Sequence, residues 1–268
     1  VLGPPRVARV ACESATGGYG VGMKIEIWSD IACPWCYIGK VRFEKALAQY
    51  EHKDDVQVIW RSYQLQPDAP TENAPTTVDH LMEKYGRSRE GVMEMMRNVT
   101  DVAAGEGITY HLDRAVASNT LDAHRLTKLG EAKGMGKPVM ERLMQAYQSE
   151  GANVADADTL VRLGAEAGLA EADVRAMLAS NAYLADVRAD QQRGQAIGVN
   201  GVPFFVIDEQ HGVSGAQPTE FFLSALQQLG PQKPKLKMVE VAGDGAAAGG
   251  AADEAVCGPD GCEVPATR

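Results

Sequence analysis

The chain has 268 residues, of which 45% are hydrophobic and 23% are charged, a balance typical of a globular protein. Its formal net charge is -10, because Asp and Glu number 36 whereas Lys and Arg number 26. An acidic surface repels nucleic-acid phosphates and anionic lipid headgroups. No apolar run in the sequence approaches the roughly 18 to 20 residues of a membrane-spanning helix. We therefore expect neither a nucleic-acid partner nor a membrane.

Residues 1–22 carry no apolar core of the kind that a secretory signal contains. Met23 opens the first segment that has a clear polarity pattern. We therefore expect residues 1–22 to be a disordered leader or a cloning remnant. Because no secretory signal is evident, the expected location of the protein is the cytoplasm.

A strand, a helix and a second strand are predicted at the start of the patterned region. The segment from Lys24 to Ser29 alternates in polarity and is predicted as a strand. A helical pattern begins at Cys33, and Pro34 suits its first turn, where no backbone N–H is needed. The segment from Val56 to Trp60 is the second strand candidate. This order predicts a βαβ unit with two parallel strands.

A long region without a strand pattern follows. Helical periodicity recurs in five segments, near residues 78–100, 118–133, 137–149, 156–167 and 171–194. We interpret residues 76–195 as a helical insertion. The insertion would separate two parts of one α/β domain, residues 23–75 and residues 196–235.

Strand character returns from Val202 to Ile207, and a short return strand is predicted near residues 212–215. Pro218 then opens a helix with one apolar stripe, formed by Phe221, Phe222, Ala225, Leu226 and Leu229. Residues 243–252 are almost entirely Gly and Ala, a composition typical of a flexible linker. The sequence therefore predicts a C-terminal tail over residues 236–268.

The motif Cys33-Pro34-Trp35-Cys36 lies where the first predicted strand gives way to a helix. Cysteines three residues apart on a helix share a face, so their sulfurs can form a disulfide. The helix start also favours a thiolate at Cys33, because unpaired backbone N–H groups and the positive end of the helix dipole face it. The pattern predicts a redox-active pair in which Cys33 attacks and Cys36 resolves.

Two other interpretations of this motif are weaker. A structural zinc site needs two more Cys or His ligands at close spacing, and the five histidines are scattered along the chain. Simple buried cysteines leave the position at a helix start unexplained. We therefore predict no metal site and no cofactor other than the redox-active disulfide itself.

A second cysteine pair, Cys257 and Cys262, flanks the residues Gly-Pro-Asp-Gly, which have the signature of a type I turn. Such a turn brings its flanking residues to the separation that a disulfide requires. A flexible coil of about 21 residues before this turn would span about 25 Å, enough to approach Cys33. We interpret the pair as a second redox centre that exchanges electrons with the first. An independent, adventitiously oxidised pair and a zinc site made from both pairs are the alternatives.

Together these features resemble the DsbA-like branch of the thioredoxin superfamily, and most of all its cytosolic FrnE-type oxidoreductases. The resemblance covers residues 23–230. Besides the Cys-Pro-Trp-Cys motif and the helical insertion, it rests on Ser29-Asp30, on Asn119 to Leu126 (with Ala123-His124-Arg125) and on Gly201 to Phe205. It implies an α/β thioredoxin fold with a large helical insertion and a flexible C-terminal tail.

The resemblance also implies roles for residues around the dithiol. A cis peptide bond would precede Pro203 and face the cysteines, and the Val202 backbone would pair with an incoming peptide strand. Relatives often hold a buried acid near the dithiol for proton transfer. Glu26 and Asp30 are both candidates here, and strand alternation does not decide which of the two points inward.

The activity that the resemblance implies is thiol–disulfide exchange on disulfide-containing or unfolded client proteins. Glutathione or a thioredoxin-type protein would supply the electrons. Two rival functions stay open. Glutathione-dependent isomerases of the hydroxychromene-carboxylate type and kappa-class transferases share this layout, although they typically carry Ser at the first motif position. A peptide-binding chaperone would act without its thiols.

Overall fold

The computed structural model describes residues 22–230. Outside the described residues lie the predicted leader up to residue 21 and the predicted C-terminal tail. The tail includes Cys257 and Cys262. The division into two α/β parts (residues 23–75 and 196–235) and an insertion (residues 76–195) stays a prediction.

A four-stranded sheet forms the centre of the described chain. Its strands are β1 (Lys24–Ser29), β2 (Gln57–Ser62), β3 (Phe204–Ile207) and β4 (His211–Ser214). In space they lie in the order β2-β1-β3-β4. The β1 and β2 strands run parallel, as the predicted βαβ unit requires, whereas β3 runs antiparallel to both β1 and β4.

The first helix, α1 (Pro34–Gln49), crosses from β1 to β2 and packs on one face of the sheet. Its N-cap is Cys33, and proline occupies its first turn as predicted. Alternate β1 residues, Ile25 and Ile27, are fully buried on this face. They form a core with the aromatic rings of Phe43, Phe205 and Phe222, the last two of which lie 4.6 Å apart between centroids.

The last helix, α9 (Thr219–Leu229), covers the same face beside α1. Phe222 and Leu226 are its buried residues, as the predicted apolar stripe requires. The prediction was wrong for Phe221, which is 47% exposed. Its neighbour Phe222 occupies the inward position, and adjacent residues of a helix point about 100° apart.

Seven helices fill the sequence between β2 and β3, and we call residues 77–196 the helical block. They are α2 (Thr77–Tyr85), α3 (Arg89–Gly105), α4 (Leu121–Ala132), α5 (Gly136–Gln145), α6 (Ala157–Glu166), α7 (Glu171–Leu178) and α8 (Leu184–Ala196). Two of the five predicted segments are each broken in two. Gly86 (φ 60°) follows α2, and Tyr183 (φ 61°) precedes α8. Both residues have a left-handed backbone conformation, which interrupts a right-handed helix.

Ion pairs connect the other face of the sheet to the helical block. Arg61 of β2 contacts both Glu26 of β1 (2.6 Å) and Asp190 of α8 (2.9 Å). Lys128 of α4 also reaches Asp190, at 2.8 Å, and Arg193 of α8 reaches Glu26 at the same distance. A network of ion pairs therefore connects α4 and α8 to β1 and β2. No helix within residues 22–230 has both the length and the apolar character needed to cross a bilayer.

Candidate functional site

The two cysteines of the motif occupy different environments at the start of α1. Cys33 caps the helix, and its carbonyl accepts a hydrogen bond from the Cys36 N–H at 3.0 Å. Both side chains are free thiols, and Cys36 is fully buried. The Cys33 sulfur therefore lies at the positive end of the helix, where a negative charge is stabilised.

The Cys36 thiol keeps its proton. Burial, followed by the neighbouring Cys33 sulfur, raises the pKa of Cys36 well above its ordinary value of 9.0. The backbone N–H of Asp30 donates to Cys36 Sγ at 3.5 Å and acts in the opposite direction, but it does not offset burial. At neutral pH the pair thus contains one helix-capping sulfur and one protonated, water-shielded sulfur.

The predicted proline loop lies against Cys33. The Val202–Pro203 peptide bond is cis. The Cys33 thiol donates to the Val202 carbonyl at 3.5 Å, which places this loop beside the sulfur. Gly39 of α1 allows the close approach, because a Cβ at this position would lie 3.0 Å from Pro203 Cγ.

The two residues between the cysteines differ in exposure and in contacts. Trp35 is 40% exposed, so a large apolar ring stands at the surface next to Cys33. The Pro34 carbonyl accepts a hydrogen bond of 2.7 Å from the Tyr110 hydroxyl. Burial, followed by the nearby Cys33 sulfur, raises the pKa of Tyr110, so the phenol keeps the proton that it donates. Sequence reasoning missed Tyr110, since a single Tyr in a connection carries no pattern.

Asp30 is the acidic residue that the fold brings to the dithiol. It lies in the turn after β1 and is 2% exposed. Its Oδ2 accepts the Leu65 N–H at 2.8 Å, and its Oδ1 accepts the Ala32 N–H at 3.3 Å. Nε2 of His124, on α4, lies 3.3 Å from the same Oδ1. Neither His124 nor Leu65 was identified as a site residue from the sequence.

Glu26, the other candidate acid, belongs to a different cluster. Arg193 and Arg61 both contact its carboxylate, and they hold the pKa of Glu26 at about 2 although its burial opposes this. Glu26 therefore stays ionised and paired on the sheet face that meets α8. The structure thus separates the two candidates, and only Asp30 contacts the dithiol.

An apolar cavity of about 360 Å³ opens beside Cys33 and Asp30. Large side chains from the motif, the connection after β2 and helices α2 and α3 line it, including Trp35, Leu65, Leu81, Met95, Met96 and Val99. Two buried wall atoms, Ser118 Oγ and Gln148 Oε1, have no hydrogen-bond partner among the described residues. A bound molecule that donates hydrogen bonds would satisfy these atoms, which are costly to leave unpaired.

Within residues 22–230, no three His, Cys, Asp or Glu side chains converge in a group that could hold a metal ion. The predicted electron exchange with Cys257 and Cys262 involves residues outside this part of the chain and stays a prediction.

Comparisons with known proteins identify a family for this chain. A model of the DSBA-like thioredoxin domain matches residues 24–227. The chain is also similar to a probable DsbA oxidoreductase from Streptomyces coelicolor, with 40% identity and a TM-score of 0.75. That match covers 91% of this chain and 100% of the Streptomyces chain.

Two other proteins are similar to this chain at lower identity. YwbO of Bacillus subtilis, an uncharacterised protein, is 25% identical over 215 residues, which make up 75% of this chain and 94% of YwbO. The cytosolic disulfide reductase DsbM of Pseudomonas aeruginosa, in a structure with GSH, is 19% identical. That likeness has a TM-score of 0.55 and covers 77% of this chain and 98% of DsbM. With a family model matched over residues 24–227, the chain belongs to the family of DSBA-like thioredoxin domains.

Proposed function

We propose that this protein is a thiol–disulfide oxidoreductase that acts on protein disulfides through Cys33 and Cys36. The observation that carries the proposal is the contrast between the two sulfurs. Cys33 caps a helix and contacts the proline loop, whereas Cys36 is fully buried with its pKa raised. A nucleophile at a helix start with a protonated partner behind it is suited to attack followed by resolution.

The reaction transfers two electrons from the dithiol to a client disulfide. Cys33 Sγ attacks one client sulfur, and the other client sulfur leaves as a thiolate. Cys36 Sγ, after losing its proton, attacks Cys33 Sγ in the mixed disulfide. The bond between Cys33 and the client breaks, the Cys33–Cys36 disulfide forms, and the released client thiolate takes a proton from solvent. A thiol reductant, either glutathione or a thioredoxin-type dithiol, then returns two electrons to the pair.

We assign the proton transfer in the resolving step to Asp30. Its backbone N–H already contacts Cys36 Sγ, and its carboxylate lies at the cavity beside Cys33. Glu26 is unsuited to this role, because two arginines hold its charge on the opposite side of β1 from the α1 core.

Client binding would use the cavity and the proline loop. Trp35 and the methionines of α3 offer apolar surface to a peptide, and the backbone next to Pro203 lies beside the attacking sulfur. The same apolar surface would also suit an unfolded chain. Clients are therefore disulfide-containing or unfolded proteins in this proposal.

The finer assignments follow the resemblance to FrnE-type proteins. They are a cytoplasmic location, a net reductive or isomerising role in a reducing compartment, and a second redox pair at Cys257 and Cys262. The cytosolic disulfide reductase DsbM shares the fold, and this supports the first two assignments.

A glutathione-dependent isomerase or transferase is the second candidate, and the cavity is the observation that favours it. Its volume of about 360 Å³ falls in the range of small-molecule sites. Such an enzyme does not need a resolving cysteine, so isomerase activity that survives Cys36→Ser would support this candidate.

The test is disulfide reduction of insulin, together with trapping. Wild type should reduce insulin, and Cys33→Ala should not. Cys36→Ala should retain clients as mixed disulfides on Cys33, which mass spectrometry identifies, while the double variant Cys33→Ala, Cys36→Ala retains none. Trapping of glutathione alone would overturn the protein-directed activity. Aggregation suppression that is unchanged by thiol blocking, without insulin reduction, would instead indicate a chaperone.

A further inference from the structure

A histidine of the helical block contacts the acid beside the dithiol. His124 lies on α4, is 3% exposed, and points its Nε2 at Asp30 Oδ1 across 3.3 Å. Within residues 22–230 it is the only basic side chain within 4.0 Å of the Asp30 carboxylate. Asp30, in the turn before α1, is thus held by a residue 94 positions further along the chain.

The chemistry of the contact fixes which group donates. An ionised carboxylate has only acceptor sites, so Nε2 of His124 must carry the hydrogen in this bond. The two other donors to Asp30 are backbone N–H groups, those of Ala32 and Leu65. His124 is therefore the one side-chain donor that orients the carboxylate and stabilises its negative charge in a buried place.

His124 contacts Asp30 from outside the cavity beside Cys33. It is absent from the residues that line the cavity beside Cys33. Instead it borders a separate cleft of about 10 Å³, together with Ser29, Thr127 and Glu131. A change at His124 would therefore leave the client-binding surface intact and act on the reaction only through Asp30.

We propose that His124 is a positioning residue for the resolving step, holding the Asp30 carboxylate ready to accept the proton of Cys36. The proposal rests on the oxidoreductase function assigned above. In the step, the Cys36 proton passes to Asp30, the sulfur attacks Cys33 Sγ, and the client thiolate departs. His124 keeps its own proton throughout. The helical block would thus control how quickly a trapped client is released.

The test separates attack from resolution in single turnovers of the full-length reduced protein. The substrate is a peptide joined through a disulfide to a chromophoric thiol. Release of the chromophore reports the attack by Cys33, and acid-quenched mass spectrometry follows the loss of the peptide from the mixed disulfide. The variants are His124→Leu, which removes the donor, and His124→Gln, whose amide retains an N–H at similar reach. Thr127→Val, a near-isosteric change at another buried position of α4, is the matched control.

We expect His124→Leu to attack at the wild-type rate and to resolve at least about tenfold more slowly, the loss expected for a misplaced proton acceptor. His124→Gln should recover most of the resolution rate, and Thr127→Val should leave both rates unchanged. Recovery by Gln distinguishes positioning from a packing defect. Both variants lose the imidazole ring, and only His124→Gln keeps an N–H donor.

Two results would overturn the proposal. One is resolution at the wild-type rate in His124→Leu, and the other is resolution in His124→Gln that is as slow as in His124→Leu. If His124→Leu does not fold, the comparison of His124→Gln with wild type still decides, because a resolution rate reduced tenfold there counts against the proposal. Failure of the proposed function looks different, since wild type itself would then form no mixed disulfide.

Discussion

The Tyr110 hydroxyl donates to the Pro34 carbonyl across 2.7 Å and so connects the helical block to the motif between the two cysteines. Tyr110 belongs to the connection that follows α3, whereas Pro34 is the first residue of α1. The contact bears on the first turn of the helix whose start holds Cys33. The orientation of the attacking sulfur is therefore tied to a residue some 76 positions away.

Replacing Tyr110 with Phe removes this hydrogen bond and keeps the ring. We expect a loss of about 1 kcal/mol in the free energy of unfolding, the usual contribution of a neutral hydrogen bond. The attack rate of Cys33 should fall a few-fold, because the first turn of α1 is less restrained. Urea unfolding and chromophore release measure these effects. Tyr183→Phe, at a half-buried position outside the cavity beside Cys33, is the control and should change neither. Equal values for Tyr110→Phe and wild type would show that the contact is dispensable.

Titration of the dithiol should show that Cys36 holds its proton beyond the usual pH range. Its pKa is raised above 9.0 mainly by burial, so the effect should persist in Cys33→Ser, where the second sulfur is gone. The thiolate absorbance that Cys33→Ser shows in excess of Cys33→Ser, Cys36→Ala belongs to Cys36, and it should rise only at a pH above that of an exposed cysteine. A midpoint at or below the ordinary cysteine value would contradict the buried placement.

The same shift has a consequence for stability. A thiol that keeps its proton in the folded state and loses it in the unfolded state makes unfolding release protons. The stability of the reduced protein should therefore fall as the pH rises above 9.0, the ordinary pKa of the cysteine thiol. Urea unfolding of Cys33→Ser at several pH values measures the slope. Cys33→Ser, Cys36→Ala is the control, which should lack this contribution.

The sheet and the dithiol could be predicted because their signals are local. Polarity alternation marks Lys24–Ser29, and the structure places β1 over the same residues. A proline directly after a cysteine predicts the start of α1, and the helix begins at Pro34. The cis peptide bond before Pro203 came from the family resemblance, because the residues themselves indicate only a strand start.

The surroundings of the dithiol could not be predicted, since they depend on contacts between distant segments. Asp30 and Glu26 have similar polarity and lie four positions apart in the sequence. Only the folded structure shows that Glu26 forms ion pairs with Arg61 of β2 and Arg193 of α8. Likewise, His124 follows no spacing rule relative to Asp30, and α4 brings it there. The breaks at Gly86 and Tyr183 escaped notice because helical periodicity continues across them.

Glu26→Gln should destabilise the protein without changing the resolving step. Its pKa of about 2, against an ordinary 4.5, means that the ionised form is favoured by folding, so the contribution is complete above about pH 4.5 and is lost as the pH falls toward 2. We expect a loss of about 3 kcal/mol at pH 7 that shrinks as the pH approaches 2. Urea unfolding at several pH values measures this.

The control for this change is Glu209→Gln, because Glu209 is an exposed partner of Lys24 and Arg193, and solvent screens such a pair so that its loss should change stability little. The peptide-release assay on Glu26→Gln provides a second reading. A tenfold slower resolution in this variant would contradict the assignment of proton transfer to Asp30, since Glu26 would then share in it.

Gly39→Ala should damage the catalytic geometry although alanine is the better helix former. The new methyl group would lie 3.0 Å from Pro203 Cγ and 3.4 Å from Ala216, so the proline loop must move away from α1. We expect a loss of about 1 to 3 kcal/mol in stability, as for other overpacked sites. The attack rate of Cys33 should also fall, because the loop that moves carries the Val202 carbonyl that faces its sulfur. Gly105→Ala on α3 is the matched control, since a methyl group there meets nothing within 4 Å. If Gly39→Ala instead matches Gly105→Ala in stability and in attack rate, the loop tolerates displacement, and its close contact with α1 is not what places Val202 beside Cys33.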